Sequence, residues 1–142
     1  MRQLLEKKDK FEIYKTLQKE ISSFFNSISV PAKEIRLLDR ILKNNIYDLP
    51  EKDIQSTRYV IHSLEASIWC LLSTNSYTES VLKAVNLGDD SDTTGAITGG
   101  LSGLLYGYDS IPTDWLQEIA RLKDIDDLSV RVSQKLRVEC WV

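Results

Sequence analysis

Four glycines at strict four-residue intervals, Gly95, Gly99, Gly103 and Gly107, run through an otherwise apolar stretch of this chain. With Gly100, residues 93–108 hold five of its six glycines. Each glycine costs a helix interior roughly 1 kcal/mol relative to alanine, so five would normally break one. The interval supplies a reason to keep them. Residues four apart share a helix face, and a face without side chains lets another backbone approach closely. The spacing predicts a central, tightly packed helix over about 93–108.

The rest of the chain carries helical periodicity as well. Leu4, Leu5, Phe11, Tyr14, Leu17, Ile21 and Phe24 fall on one face at three- and four-residue steps. Residues 34–44 read as a second, short helix with Ile35, Leu38, Ile41 and Leu42 as its stripe. Residues 56–72 are apolar on more than one stripe, which predicts a helix buried on several sides. Ser76 and Glu79 have capping-box spacing before Val81, Leu82 and Val85. Pro112 and Asp114 open a shorter helix, and an amphipathic one over about 125–138 follows. With no hairpin signal, repeat or linker, the expectation is one all-α domain over residues 1–142.

Composition narrows the function classes. The 142 residues are 42% apolar and 27% charged, enough for a real core. A net charge of -3 argues against nucleic acid as a partner. The basic residues Arg2, Lys7, Lys8 and Lys10 alternate with Glu6, Asp9 and Glu12, which reads as a solvated helix face. No apolar run approaches the ~20 residues of a membrane span, and the start lacks a signal-peptide core. A cytoplasmic protein with reduced Cys70 and an incidental Cys140 is expected. The single histidine, His62, excludes zinc sites built from several His or Cys ligands.

Chemistry concentrates in Asn86-Leu87-Gly88-Asp89-Asp90-Ser91-Asp92-Thr93-Thr94-Gly95. The bland reading is a helix N-cap, for which one acidic residue suffices. Three aspartates within four positions repel each other unless a cation offsets them. Asp90, Asp92 and the Thr93 hydroxyl offer hard oxygen ligands suited to magnesium, manganese or calcium. An EF-hand fails, because Thr94 and Leu101 stand at its fifth and twelfth positions. Asp90-Ser91-Asp92-Thr93-Thr94 also matches the Asp-x-Asp-x-Thr of haloacid-dehalogenase-like phosphohydrolases, a motif that belongs after a buried strand. It is a poor runner-up.

The longer context resembles one family. Residues 82–97, then Gly103-Leu104-Leu105-Tyr106-Gly107 and Ile111-Pro112-Thr113-Asp114-Trp115-Leu116, are similar to the C-terminal signature of the ADP-ribosylglycohydrolases. Tyr59-Val60-Ile61-His62-Ser63-Leu64-Glu65-Ala66-Ser67-Ile68-Trp69 resembles that family's preceding helix. The resemblance is clearest over residues 50–128. It implies a compact multi-helix bundle with two magnesium ions in a central cleft, and hydrolysis of ADP-ribosyl bonds on a modified protein or a small molecule. Carried over by position, Asp90, Asp92 and Thr93 are metal ligands for Mg2+, with Mn2+ as a substitute. Asp89 and Ser91 stand where many members have Gly and Thr.

The family's Thr-x-Asp-Asp-type motif, which carries its other ligands, is missing; Asp126-Asp127 is a carboxylate pair in the wrong place. The resemblance therefore implies a fold lacking its N-terminal half, inactive alone, and names no catalytic base or substrate-binding residue. A homodimer, or pairing with a separate N-terminal half, is the corresponding expectation. A non-catalytic helical interaction module is the alternative. Of the remaining residues, His62 reads as a hydrogen-bonded core histidine, and Glu65 as a surface, capping or supporting residue. Trp69 and Trp115 read as core anchors, and Tyr106 and Tyr108 as packed rings with exposed tips.

Overall fold

The computed structural model describes residues 9–139, with side chains up to residue 135. Arg2, Leu4, Leu5, Glu6, Lys7, Lys8 and Cys140, which entered the sequence reading, lie outside the described residues. Every regular element described is helical, so the fold is all-α. The strand required before the motif by the phosphohydrolase reading is absent; a helix stands there. No described helix is long and apolar enough to cross a membrane.

Contacts divide the chain into a unit up to Ser110 and another from Ile111. The first contains α1 (Lys10–Ser27), α2 (Ala32–Arg36), α3 (Asp39–Leu42), α4 (Val60–Leu72), α5 (Tyr77–Asn86) and α6 (Ser91–Tyr106). Single 3-10 turns at Ile46–Asp48, Glu51–Asp53 and Tyr108–Ser110 complete it. The second contains α7 (Thr113–Glu118) and α8 (Leu122–Glu139). In α7, Trp115 is only half-buried, so it is less of an anchor than its sequence suggests. Along α8, Ile125, Leu128, Val130 and Val132 are exposed.

α1 starts where the Asp9 carboxylate accepts from the Phe11 and Glu12 amides, at 2.9 and 3.1 Å. Its apolar stripe ends on Phe25 rather than Phe24: Phe25 packs on the core while Phe24 is 57% exposed. Helical geometry gives the reason. At about 100° per residue, Phe25 comes within roughly 20° of Tyr14, whereas Phe24 lies about 80° away. The Tyr14 hydroxyl donates to the Ile41 and Asn44 carbonyls at 2.6 and 3.1 Å, and the Gln18 amide donates to the same pair. α1 thereby satisfies carbonyls at the end of α3 that lack helical partners.

The segment expected as one helix over 34–44 is two, α2 and α3. At the break, Leu37 and Leu38 bond back to Glu34 and Ile35 with three-residue spacing, a tightened turn that ends the α-helical ladder.

α4 forms the centre of the core. Ala66, Trp69, Cys70 and Leu72 pack with Tyr14, Ile41, Leu42, Ile46, Ile54 and Ala84. The Trp69 indole donates to the Leu49 carbonyl at 3.0 Å, and the Lys83 ammonium sits 3.9 Å above its ring. Cys70 is fully buried and free, and burial pushes its thiol up to about 12. Lys10 is not on a solvated face. Its ammonium turns inward to the Leu71 and Thr74 carbonyls and the Asn75 side chain, filling acceptors where α4 ends. Loss of hydration lowers its pKa, against the opposing effect of Asp9 and Glu79.

α5 begins with the expected capping box. Ser76 Oγ accepts from the Glu79 amide at 3.2 Å, and the Glu79 carboxylate accepts from the Asn75 amide at 2.9 Å. The return bond is displaced by one residue from the usual Ser–Glu reciprocity.

The glycine helix, α6, starts two residues earlier than expected, and Gly107 is its cap rather than an interior position. Gly107 has φ +88°, a left-handed conformation that favours glycine. The other stripe glycines receive side chains from α5, not a backbone. A Cβ at Gly95 would stand 2.9 Å from Val85 Cγ1. At Gly99 it would meet the Tyr77 hydroxyl at 3.4 Å and Val81 Cγ2 at 3.8 Å, and at Gly103 Tyr77 Cε2 at 4.0 Å. Ridges four residues apart on α5 thus fit a groove four residues apart on α6. Between the helices, the buried hydroxyls of Ser80 and Ser102 bond at 2.6 Å.

The two kinds of glycine should respond oppositely to alanine. Nothing lies within 4 Å of a Cβ at Gly100, so Gly100→Ala should raise unfolding free energy by about 1 kcal/mol through helix propensity. Gly95→Ala should lower it, because Val85 is stiff and must move. Urea unfolding of the two variants checks this; equal gains would mean that α6 does not rest on α5 as described.

Candidate functional site

The acidic cluster occupies the turn between α5 and α6. Gly88 and Asp89 both adopt left-handed backbone, with φ of +76° and +54°. The first is easy for glycine; aspartate tolerates the second better than most residues. Asp90 then occupies the N-cap position, with Asp92 and Thr93 in the first turn of α6. All three predicted ligands therefore lie at one helix end, where free N–H groups and the helix dipole favour negative charge.

Asp90 does not behave as an ordinary cap. Its side chain accepts no bond from the first-turn amides, whereas Asp9 and Ser76 both do so on their own helices. Its side chain is 13% exposed, and its nearest charged partner is the Arg58 guanidinium at 3.9 Å. Asp92, Thr93 and Asp89 are exposed. Among the described residues, no three His, Cys, Asp or Glu side chains gather into a metal-binding group. The donor set here is two carboxylates and a hydroxyl. It suits a hard cation but fills only part of magnesium's six positions.

The segment before α4 reaches into this turn, although the sequence reading placed it inside a helix over 56–72. α4 starts at Val60 because Ser56 and Thr57 are used elsewhere. Ser56 Oγ donates to the Gly88 carbonyl at 2.7 Å, and the Ser56 carbonyl accepts from the Asp90 amide at 3.0 Å. Thr57 Oγ1 lies 2.7 Å from His62 Nδ1 and accepts from the Tyr59 amide at 3.2 Å. His62 is hydrogen-bonded as expected, with Tyr59 edge-on, but it is half-buried rather than in the core.

Glu65 departs further from its sequence reading. It is 3% exposed, with Arg40 Nε at 3.5 Å, and Arg40 also donates to the Asp53 carbonyl at 2.7 Å. Burial raises its carboxyl above the ordinary glutamate range, while Arg40 and His62 pull it down. The periodicity of a helix apolar on several sides was the only hint that position 65 would face inward.

A sequence model of the ADP-ribosylglycohydrolase family matches residues 1–141. The chain belongs to the ADP-ribosylglycohydrolase family. The match extends on both sides of residues 50–128, where the signature is densest. An ADP-ribosylarginine hydrolase of Serratia proteamaculans (strain 568) is 40% identical over 93 residues, which are 63% of this chain and 25% of that protein. Its counterpart in Pseudomonas putida (strain GB-1) is 31% identical over 104 residues, covering 72% of this chain and 28% of that one. The ADP-ribosyl-[dinitrogen reductase] glycohydrolase of Rhodospirillum rubrum is 35% identical over 65 residues, 46% of this chain and 22% of that enzyme. This ADP-ribosylglycohydrolase chain thus spans about a quarter of the length of these curated relatives.

The raised Glu65 carboxyl gives this family member a stability signature in pH. A carboxyl raised on folding favours the folded state below its unfolded pKa, and that contribution is lost as pH rises through the folded value. Glu65→Gln keeps the shape without the charge. Its unfolding free energy should therefore gain on the parent's as pH rises from about 4, near the ordinary glutamate value, towards neutrality. Paired urea titrations at several pH values measure the difference. A difference that shrinks with rising pH would mean that the Arg40 pair outweighs burial.

Proposed function

We propose that these residues form part of a magnesium-dependent centre that hydrolyses the bond between ADP-ribose and an arginine side chain. Asp90, Asp92 and Thr93 are the metal ligands in this reading, with manganese able to replace magnesium. The observation that carries it is the Asp90 carboxylate, held at a helix N-cap without bonding its own helix. An anionic oxygen kept off the available amides is left for another electrophile.

The arginine linkage is the substrate class named for the Serratia and Pseudomonas relatives, and it is carried here on that likeness. A divalent cation held at the turn supplies positive charge against which ribose hydroxyls and a water can orient. Asp90 and Asp92 contribute anionic oxygens and Thr93 a neutral one, so the chain offers two of the charges such a cation needs. Arg58, 92% exposed, is free to swing out as the cation enters. Remaining ligands and the catalytic base come from outside these 142 residues, where the relatives have most of their length.

Isothermal titration of Mn2+ and Mg2+ into the purified chain tests the reading. Binding is expected, and Asp90→Asn combined with Asp92→Asn should weaken it at least tenfold. Equal heats from both proteins would reduce the cluster to a helix start without a metal. ADP-ribose release from ADP-ribosylated arginine by the 142 residues alone would instead place a base among them.

A further inference from the structure

We infer that Ser56 is a positioning residue for Asp90, holding its carboxylate away from the helix it would otherwise cap. This inference rests on the metal reading of Asp90. Ser56 is 4% exposed and lies just before α4, 32 residues upstream of the Gly88 carbonyl it contacts. It grips the turn twice. Its hydroxyl donates to the Gly88 carbonyl at 2.7 Å, and its own carbonyl accepts from the Asp90 amide at 3.0 Å.

Left-handed Gly88 carries the first anchor, and left-handed Asp89 is the one residue between it and the second. An aspartate in that conformation relaxes unless its neighbours hold it. Asp90 itself sits at φ −87° and ψ 55°, unlike the extended N-cap Ser76, at φ −142° and ψ 163°, whose side chain does bond its helix. The turn geometry that denies Asp90 a capping bond is thus imposed from outside by Ser56. Without the Ser56 hydroxyl, the Gly88 carbonyl loses its partner and the turn is free to rotate. Asp90 then turns onto the first-turn amides, the common arrangement for aspartate at this position. That removes a cation ligand without unfolding the protein.

The test compares Ser56→Ala, Ser56→Thr and Asp90→Asn in the full chain, using Mn2+ titration calorimetry and amide hydrogen exchange by NMR. Ser56→Ala should keep its far-UV circular dichroism, bind Mn2+ at least tenfold more weakly, and exchange the Asp90 amide at least tenfold faster. Ser56→Thr, which retains the hydroxyl, should restore both. Mn2+ affinity within twofold of the parent in Ser56→Ala, while Asp90→Asn abolishes binding, overturns the positioning role and leaves the metal reading intact. If the parent binds no Mn2+, or Asp90→Asn does not alter binding, the metal reading falls. Exchange at Asp90 then decides alone whether Ser56 holds the turn, and unchanged protection in Ser56→Ala would refute that too. Should Ser56→Ala fail to fold, Ser56→Cys, similar in size but a weak donor, carries the same comparison.

Discussion

The fit of α5 side chains into the glycine face of α6 is the constraint from which the candidate site follows. Val85 meets Gly95, Val81 meets Gly99, and Tyr77 reaches both Gly99 and Gly103. The two helices run in opposite directions with equal spacing, so a slip of one residue would set a side chain against a side chain. That register, and the Ser80–Ser102 bond buried beside it, fix where α6 begins relative to α5. The short turn between the two helices must close that distance, and it does so through two left-handed residues. Asp90 inherits its position from this register, which begins at Val85 and Gly95 on either side of it, and from the Ser56 contacts to the turn.

The fold was legible wherever periodicity was long. α1, the capping box of α5, the glycine helix and α7 can all be read from spacing and end signals. What escaped was decided by tertiary demand rather than local preference. Leu37 and Leu38 continue an apolar pattern yet break the helix in a tightened turn, and the α3 that follows presents its Ile41 carbonyl to Tyr14 and Gln18. Gly107 continues a four-residue interval yet ends α6, since interval alone does not distinguish a groove from a cap.

At the site the same division holds. Asp90, Asp92 and Thr93 could be named because residue type and local order carry the signal. The role of Ser56 could not, for nothing in a serine ahead of a helix announces a bond to a carbonyl 32 residues away. Lys10 and Glu65 escaped for a related reason. Charged residues are mostly exposed, and only the structure shows one satisfying helix-end carbonyls and the other buried against Arg40. Such groups tune stability to pH and fix a helix end without leaving a pattern in hydropathy.

Cys70 carries a different consequence. Its thiol lies in the core near the C-terminal end of α4 with no surface of its own, and burial holds it almost wholly in the unreactive protonated form. It becomes reactive only when the core parts around it. Where a thiol reagent reacts faster than the core recloses, its rate at Cys70 counts openings of the α4 core, so the molecule carries its own clock for how often its interior breathes.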